Sequence, residues 1–188
     1  NRKVILGCRA AKVRTISFDA FESINFPYVG VVNSNGLDLA RYIINPPKEP
    51  LIYKRDLCTR VFLLKLIPGM DPDIFQALHQ MGYKGVYIEA FGIGGLPFYR
   101  RDMAKAIGDA IENGMTILVG SQCVYDGSNL SIYQTGQKIL KQGALQSYDM
   151  TTEAAVTKLM WTLGQTDDPR EIRKYFFSSL SGEVNLPE

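Results

Sequence analysis

The sequence predicts an α/β protein: a three-layer α/β/α arrangement around a parallel sheet, preceded by a β-hairpin and a crossover linker. Three observations predict it. The short apolar runs VFLLKL (61–66), GVYIEAF (85–91) and MTILV (115–119) have the length and β-former content of buried strands. Segments with helical spacing of apolar residues separate them. Glycines stand just past the helical stretches, at Gly82 and Gly114, where a left-handed residue closes a helix. Strands joined by single helices pair in parallel through right-handed crossovers.

The elements follow in order. KVILG (3–7) and KVRTI (12–16) are β-rich and are expected to form a hairpin within residues 1–24, which needs a surface to pack on. Residues 25–50 alternate short apolar runs with NSNG and NPPKEP and are expected to be an interdomain linker. The compact domain is expected over 51–188. After the first strand, PGMDP offers Asp71 as a cap and Pro72 at the first helical position, and Ile74, Phe75, Leu78 and Met81 share a face. A helix over 98–113 carries Tyr99, Met103, Ile107, Ala110 and Ile111 on one stripe. Helices over 133–141 and 152–163 complete the layers, the latter with Ala155, Val156, Leu159, Met160 and Leu163 inward. A last helix opens with Asp168, Pro169 and Glu171. Trp161, Phe176 and Phe177 fall at core spacing.

Composition narrows the function. Lys plus Arg number 21 and Asp plus Glu 19, for a net charge of +2, and the charges are interspersed. No basic stripe points to nucleic acid or to an acidic membrane surface. No apolar run approaches the roughly 20 residues of a membrane span, and NRKVILGCRAAK lacks the features of a signal peptide. Cys8, Cys58 and Cys123 are widely spaced, as expected of free thiols in a reducing cytoplasm. With His79 the only histidine, no zinc site of the usual kind is expected.

In a parallel α/β sheet the ligand crevice lies outside the carboxyl ends of the strands. Three loops meet there: IPGMDP (67–72), FGIGGLP (91–97) and GSQCVYDG (120–127). The second fits a dinucleotide loop at Gly92 and Gly94, but Pro97 takes the third glycine position and prevents close helix-to-strand contact. No GKS or GKT follows, so it is not a P-loop. Two readings stay open: a backbone shaped for close approach by a ligand or neighbouring chain, and a plain strand-to-helix turn. Reactive groups are sparse. His79 is expected to face solvent, and Cys123 is expected to be a buried or ligand-lining thiol without a base beside it. Thr166 and Asp167 are expected to belong to a helix start.

The series LIPGMDP, GYKGVYIEAFGIGGLP, SQCVYDGSNLSIYQTGQ and SYDMTTEAAVTKLMWTLGQ, in this order and spacing, resembles the Rossmann-like C-terminal domain of bacterial type I (cytoplasmic) L-asparaginases. RAAKVRTISFDAFESINFP resembles the hairpin and crossover that close the family's N-terminal domain. The resemblance covers essentially the whole chain. It implies an amidohydrolase converting L-asparagine to L-aspartate and ammonia with no metal or organic cofactor. Its implied partners are its own N-terminal catalytic domain and further copies, as a homodimer or homotetramer. The family's nucleophilic threonine, and its threonine-aspartate pair with a lysine, match nothing in these residues. The chain is therefore expected to be a C-terminal fragment, inactive alone, with no catalytic residue of its own.

The resemblance also implies where ligands approach. The glycine loop (Gly92, Gly94, Gly95) and the later segment Tyr133–Gln134 correspond to parts that reach a neighbouring active site. Secreted relatives carry an asparagine and a carboxylate there, which this sequence lacks, so backbone contact is what remains. An allosteric pocket of some type I enzymes corresponds to Glu89, Ser121, Gln122 and Cys123. Ser121 and Cys123 match its lining, whereas Glu89 stands in place of an arginine and Ala11 in place of a threonine. Two other functions stay open: a component of a tRNA-dependent amidotransferase, and a non-catalytic small-molecule binding module.

Overall fold

The computed structural model describes residues 2–41, 43, 53–98 and 101–187. Its centre is a four-stranded sheet of β6 (Val61–Lys65), β7 (Gly85–Ala90), β8 (Thr116–Ser121) and β9 (Leu145–Gln146), parallel throughout and arranged in sequence order. Strands that add in sequence order through right-handed crossovers place their connecting helices on one face. Those helices are α1 (Ile74–Gln80), α2 (Met103–Glu112) and α3 (Gln134–Lys141). The other face is covered by α4 (Thr152–Gln165) and α5 (Pro169–Phe176), which follow the last strand. The three-layer α/β/α fold predicted by the sequence is therefore present.

Period-two alternation divides the strand side chains between two cores. Leu64, Val86, Ile88, Ala90, Ile117 and Val119 pack with Phe75, Leu78, Met103, Ile107 and Ile139 from α1 to α3. Tyr87, Leu118 and Leu145 pack with Ala155, Leu159, Leu163, Ile172 and Phe176 from α4 and α5. Burial on both faces is why β7 and β8 are continuous apolar runs rather than alternating ones.

Several local expectations are corrected. The runs at 3–7 and 12–16 do not pair with each other. Instead β1 (Lys3–Val4) pairs with β4 (Gly30–Asn33), and β2 (Ala10–Lys12) pairs with β3 (Phe21–Ser23). The stretch expected to be a linker contains β4 and β5 (Gly36–Leu39), an antiparallel pair that turns at NSNG with Gly36 at φ +114°. Pairing here is set by tertiary contact and turn geometry, which strand propensity does not encode.

The first helix starts later than the Asp71–Pro72 signal implies. Asp71 Oδ1 accepts from the Asp73 N–H at 3.1 Å and shapes a turn before Ile74. The second begins at Met103, where Asp102 accepts from the Lys105 N–H at 2.9 Å; Tyr99, expected on its stripe, lies outside the described residues. In α4 the buried positions are Ala154, Ala155, Lys158, Leu159, Thr162 and Leu163, whereas Val156 and Met160 are half-buried. Phe177 is half-exposed rather than core. The two-residue strand β9 is too short to leave a pattern.

Candidate functional site

The carboxyl ends of β7 and β8 hold the glycine loop in place. Phe91 and Gly95 form an antiparallel bridge, with the Gly95 N–H donating to Phe91 O at 2.7 Å and the Phe91 N–H to Gly95 O at 3.1 Å. Gly92 and Gly94 take φ of +50° and +130°, a backbone that side chains disfavour. Ser121 Oγ donates to Gly92 O at 2.5 Å, and the Asn129 N–H donates to Ile93 O at 2.7 Å. The loop is therefore fixed from the segment after β8.

Beside it lies a recess of about 490 Å³ lined by Phe91, Gly92, Gly95, Leu96, Phe98, Tyr133, Gln134 and Thr135. The structure brings Gly92, Gly95, Tyr133 and Gln134 together in this lining. Gly94 is not part of the lining; a Cβ built on it would meet the Leu130 side chain.

A second cleft, of about 450 Å³, opens between this edge and the β2–β3 hairpin. All four residues of the expected pocket line it, Glu89, Ser121, Gln122 and Cys123, together with Ala11 of the hairpin. Glu89 Oε1 accepts from Thr152 Oγ1 at 2.7 Å, and Lys65 Nζ stands 3.6 Å from Oε2. Gln122 Nε2 donates to Leu66 O at 2.6 Å and to Glu89 O at 3.1 Å. The Cys123 N–H donates to Ser121 Oγ at 2.8 Å, so Ser121 belongs to both loop and cleft. Cys123 is exposed at the cleft rather than buried.

The hairpin wall is tied to the domain by polar contacts. Tyr125 Oη donates to Glu22 Oε2 at 2.8 Å, and Arg14 Nη1 donates to Glu22 Oε1 at 2.8 Å. The Arg14 hydrogen bond, followed by that from Tyr125, holds the Glu22 carboxyl below its ordinary range, and the same carboxylate raises the Tyr125 phenol. The Asp126 N–H donates to Asn25 Oδ1 at 3.0 Å. Sequence reasoning missed Lys65, Thr152 and the wall formed by Lys12, Val13 and Ile24. Thr152 carried a signal only as a helix start.

In neither recess nor cleft does a thiol stand beside a base. Cys123 has no histidine near it, because His79 is exposed on α1 and faces the outer groove against α2. Among the described residues no group of three or more His, Cys, Asp or Glu is placed to hold a metal ion, and no helix is long and apolar enough to cross a membrane. The recess presents the Tyr133 phenol and the Gln134 side-chain amide beside the glycine backbone.

Residues 60–176 match the glutaminase/asparaginase C-terminal domain. The chain belongs to the glutaminase/asparaginase family. Among its family relatives, a glutamyl-tRNA(Gln) amidotransferase component of Pyrococcus furiosus is 36% identical over 180 residues, covering 95% of this chain and 40% of the relative. The L-asparaginase of Thermococcus kodakarensis is 31% identical over 182 residues, covering 97% of this chain and 55% of the relative. The solved thermostable L-asparaginase from the same organism superimposes with a TM-score of 0.92 at 31% identity, covering 99% of this chain and 56% of that one. The chain thus spans about half the length of the family members it matches.

Proposed function

We propose that the chain is the C-terminal domain of a type I L-asparaginase that hydrolyses L-asparagine to L-aspartate and ammonia in the cytoplasm as a homodimer or homotetramer. In this reading the catalytic threonines lie in a separate N-terminal domain, and this chain supports the active site and the subunit interface. The observation that carries it is the convergence of the glycine loop and Tyr133–Gln134 on one recess, within the segment that matches the family domain. Gly92 and Gly95 offer backbone to a neighbouring subunit's ligand there, and Tyr133 and Gln134 offer polar side chains.

The test is asparagine hydrolysis by the full-length gene product and by these 188 residues alone. Turnover is expected only from the former. Substantial turnover by the 188-residue chain would sink the reading. Tyr133→Ala in the full-length protein is expected to raise KM for asparagine, because the recess positions ligand rather than reacting with it.

A second reading is a component of a tRNA-dependent amidotransferase, favoured by the 36% identity to the Pyrococcus furiosus relative. Ammonia release that requires glutamyl-tRNA(Gln) and a partner chain would replace the first reading with this one.

A further inference from the structure

A groove of about 800 Å³ opens where the turn after β8, the segment after β9, α5 and the C-terminal tail meet. It shares no lining residue with the glycine-loop recess or with the hairpin cleft. One wall is apolar, formed by Ile93, Leu140, Phe177, Leu186 and Pro187. Ile93 and Phe177 are exposed at 37% and 47%, so apolar surface faces the opening and gains from being covered.

Three charged residues line the groove: Asp126, Asp149 and Arg173. Asp149 is already committed to Arg9 and Asn185. Arg173 lies over the Phe177 ring, 4.8 Å from its centroid. Among the described residues neither the Arg173 guanidinium nor the Asp126 carboxylate forms an ion pair, with each other or with any other group. The fold holds these two charges at opposite ends of Tyr148. On the Asp126 side, the Ser128 N–H donates to Tyr148 O at 2.9 Å, and a Cβ on Gly127 would stand 2.4 Å from the same oxygen. The Tyr148 ring reaches the other way, edge to face with Phe177 at a centroid distance of 6.2 Å. Burial raises the Tyr148 phenol above its ordinary value, against the opposing pull of the nearby Arg173 charge. The hydroxyl therefore keeps its proton, and it stands beside Arg173 as a second donor.

We propose that this groove binds a free amino acid with an apolar side chain, its carboxylate on Arg173 and Tyr148 Oη, its ammonium on Asp126, and its side chain on the apolar wall. The planar fork of an arginine matches a carboxylate, and a hydroxyl beside it adds a further donor. A ligand with a single charge satisfies one of the two lining charges and leaves the other unmatched. Both are solvated, so each contact has the strength of an exposed ion pair, and selectivity comes from requiring both. The volume lies within the range of small-molecule sites. The inference does not rest on the amidohydrolase reading, since it concerns a different part of the surface and no reaction.

The test is a titration of the chain with L-phenylalanine at constant ionic strength, followed by the backbone amide resonances of Gly127, Tyr148 and Phe177. The analogue without the ammonium, 3-phenylpropionate, the analogue without the carboxylate, phenethylamine, and L-asparagine are titrated in parallel. Saturable shifts are expected with L-phenylalanine. Each analogue is expected to bind about threefold to fivefold more weakly, the scale of one exposed ion pair, and asparagine more weakly still for want of an apolar side chain. Asp126→Asn suits the same left-handed backbone, at φ +71°, and Arg173→Gln suits a helix. Each is expected to weaken L-phenylalanine binding by the same factor. Phenethylamine, with no carboxylate to lose, is expected to bind Arg173→Gln as well as wild type, whereas a general disturbance of the groove would weaken both ligands. No saturable shift with L-phenylalanine overturns the proposal. Equal or tighter binding of either analogue or of asparagine also overturns it, as does unchanged L-phenylalanine affinity in Asp126→Asn or in Arg173→Gln.

Discussion

Arg9 Nη1 donates to Asp149 Oδ2 at 2.9 Å across 140 positions of sequence, and the Arg9 side chain has no exposure to solvent. The pair ties together three distant segments. Arg9 Nε also donates to Gly182 O at 2.6 Å, and the guanidinium lies 5.1 Å from the Phe26 ring centroid. Asp149 accepts from the Asn185 N–H at 2.8 Å and from Asn185 Nδ2 at 2.6 Å, and its carbonyl accepts from Asn25 Nδ2 at 3.1 Å. The hairpin that walls the cleft and the C-terminal tail are thus held by one buried charge pair just before α4.

Removing one member strands the other. Asp149→Ala leaves a fully buried guanidinium without its counterion, and loss of one partner of a buried pair costs about 3–5 kcal/mol. Asp149 keeps 15% side-chain exposure, so water relieves part of this, and about 3 kcal/mol is expected. Urea denaturation of wild type and variant checks it. A change below about 0.5 kcal/mol, the size of an ordinary surface substitution, would show that the pair does not hold the segments together.

Lys158 and Glu183 form a second buried pair, with N–O distance 2.6 Å and side-chain exposures of 4% and 5%. Burial on its own raises the Glu183 carboxyl. The Lys158 ammonium and the N–H groups of Ser181 and Leu180 outweigh it and hold the carboxyl below its ordinary value. A carboxyl depressed in the fold contributes stability that is complete above its unfolded value of about 4.3 and is lost as pH falls through the lower folded value. Stability is therefore expected to fall on acidification below about pH 4.3. Glu183→Gln is expected to be less stable at neutral pH and to show a flatter acid limb. Denaturation midpoints for both proteins between neutral and acid pH check the difference; parallel curves would refute it.

The parts of the fold written in local pattern were legible in the sequence. GVYIEAF and MTILV are strands because both faces of the sheet are buried over β7 and β8, and that burial leaves an apolar run; VFLLKL reads the same way although it forms the edge strand and leaves Leu63 exposed. Asp168 accepts from the Arg170 N–H at 2.8 Å as its place before Pro169 implies, and Gly82 and Gly114 take positive φ at helix ends. The partner of β1 was not legible, because Lys3 and Val4 meet Val31 and Gly30 through a non-local pairing. The site divides the same way. Glycines after a strand announce a loop, whereas the Thr152–Glu89 bond joins residues 63 apart and leaves no local trace.

Gly120 on β8 lies beneath two hydroxyls. A Cβ there would collide with Tyr87 Oη and Ser147 Oγ, whose side chains are each 1% exposed and have no room to retreat. Overpacking in a closed core costs about 1–3 kcal/mol. Gly120→Ala is expected to lie in that range by thermal or urea unfolding, and a neutral result would mean that the second core, around Tyr87 and Leu118, is loosely packed.

Gly94 and Gly95 are adjacent but are expected to respond differently to a methyl group. Gly94 sits at φ +130°, where a Cβ is strained, and that Cβ would stand 2.7 Å from Leu130 Cδ2. Gly95 is outside the positive-φ set, and its Cβ would stand 3.2 Å from Phe91 O, a tight contact rather than a collision. Strain at a disfavoured backbone costs of order 1–3 kcal/mol, and the loop can relieve it by shifting. On the asparaginase reading proposed above, Gly94→Ala in the full-length protein is expected to displace Gly92 and Gly95 from the recess and to lower kcat/KM for asparagine, with a smaller effect from Gly95→Ala. Steady-state kinetics on both variants decides the point. Equal activity in Gly94→Ala and wild type would mean that the loop's conformation does not matter to the active site, and would leave it a plain turn between β7 and α2.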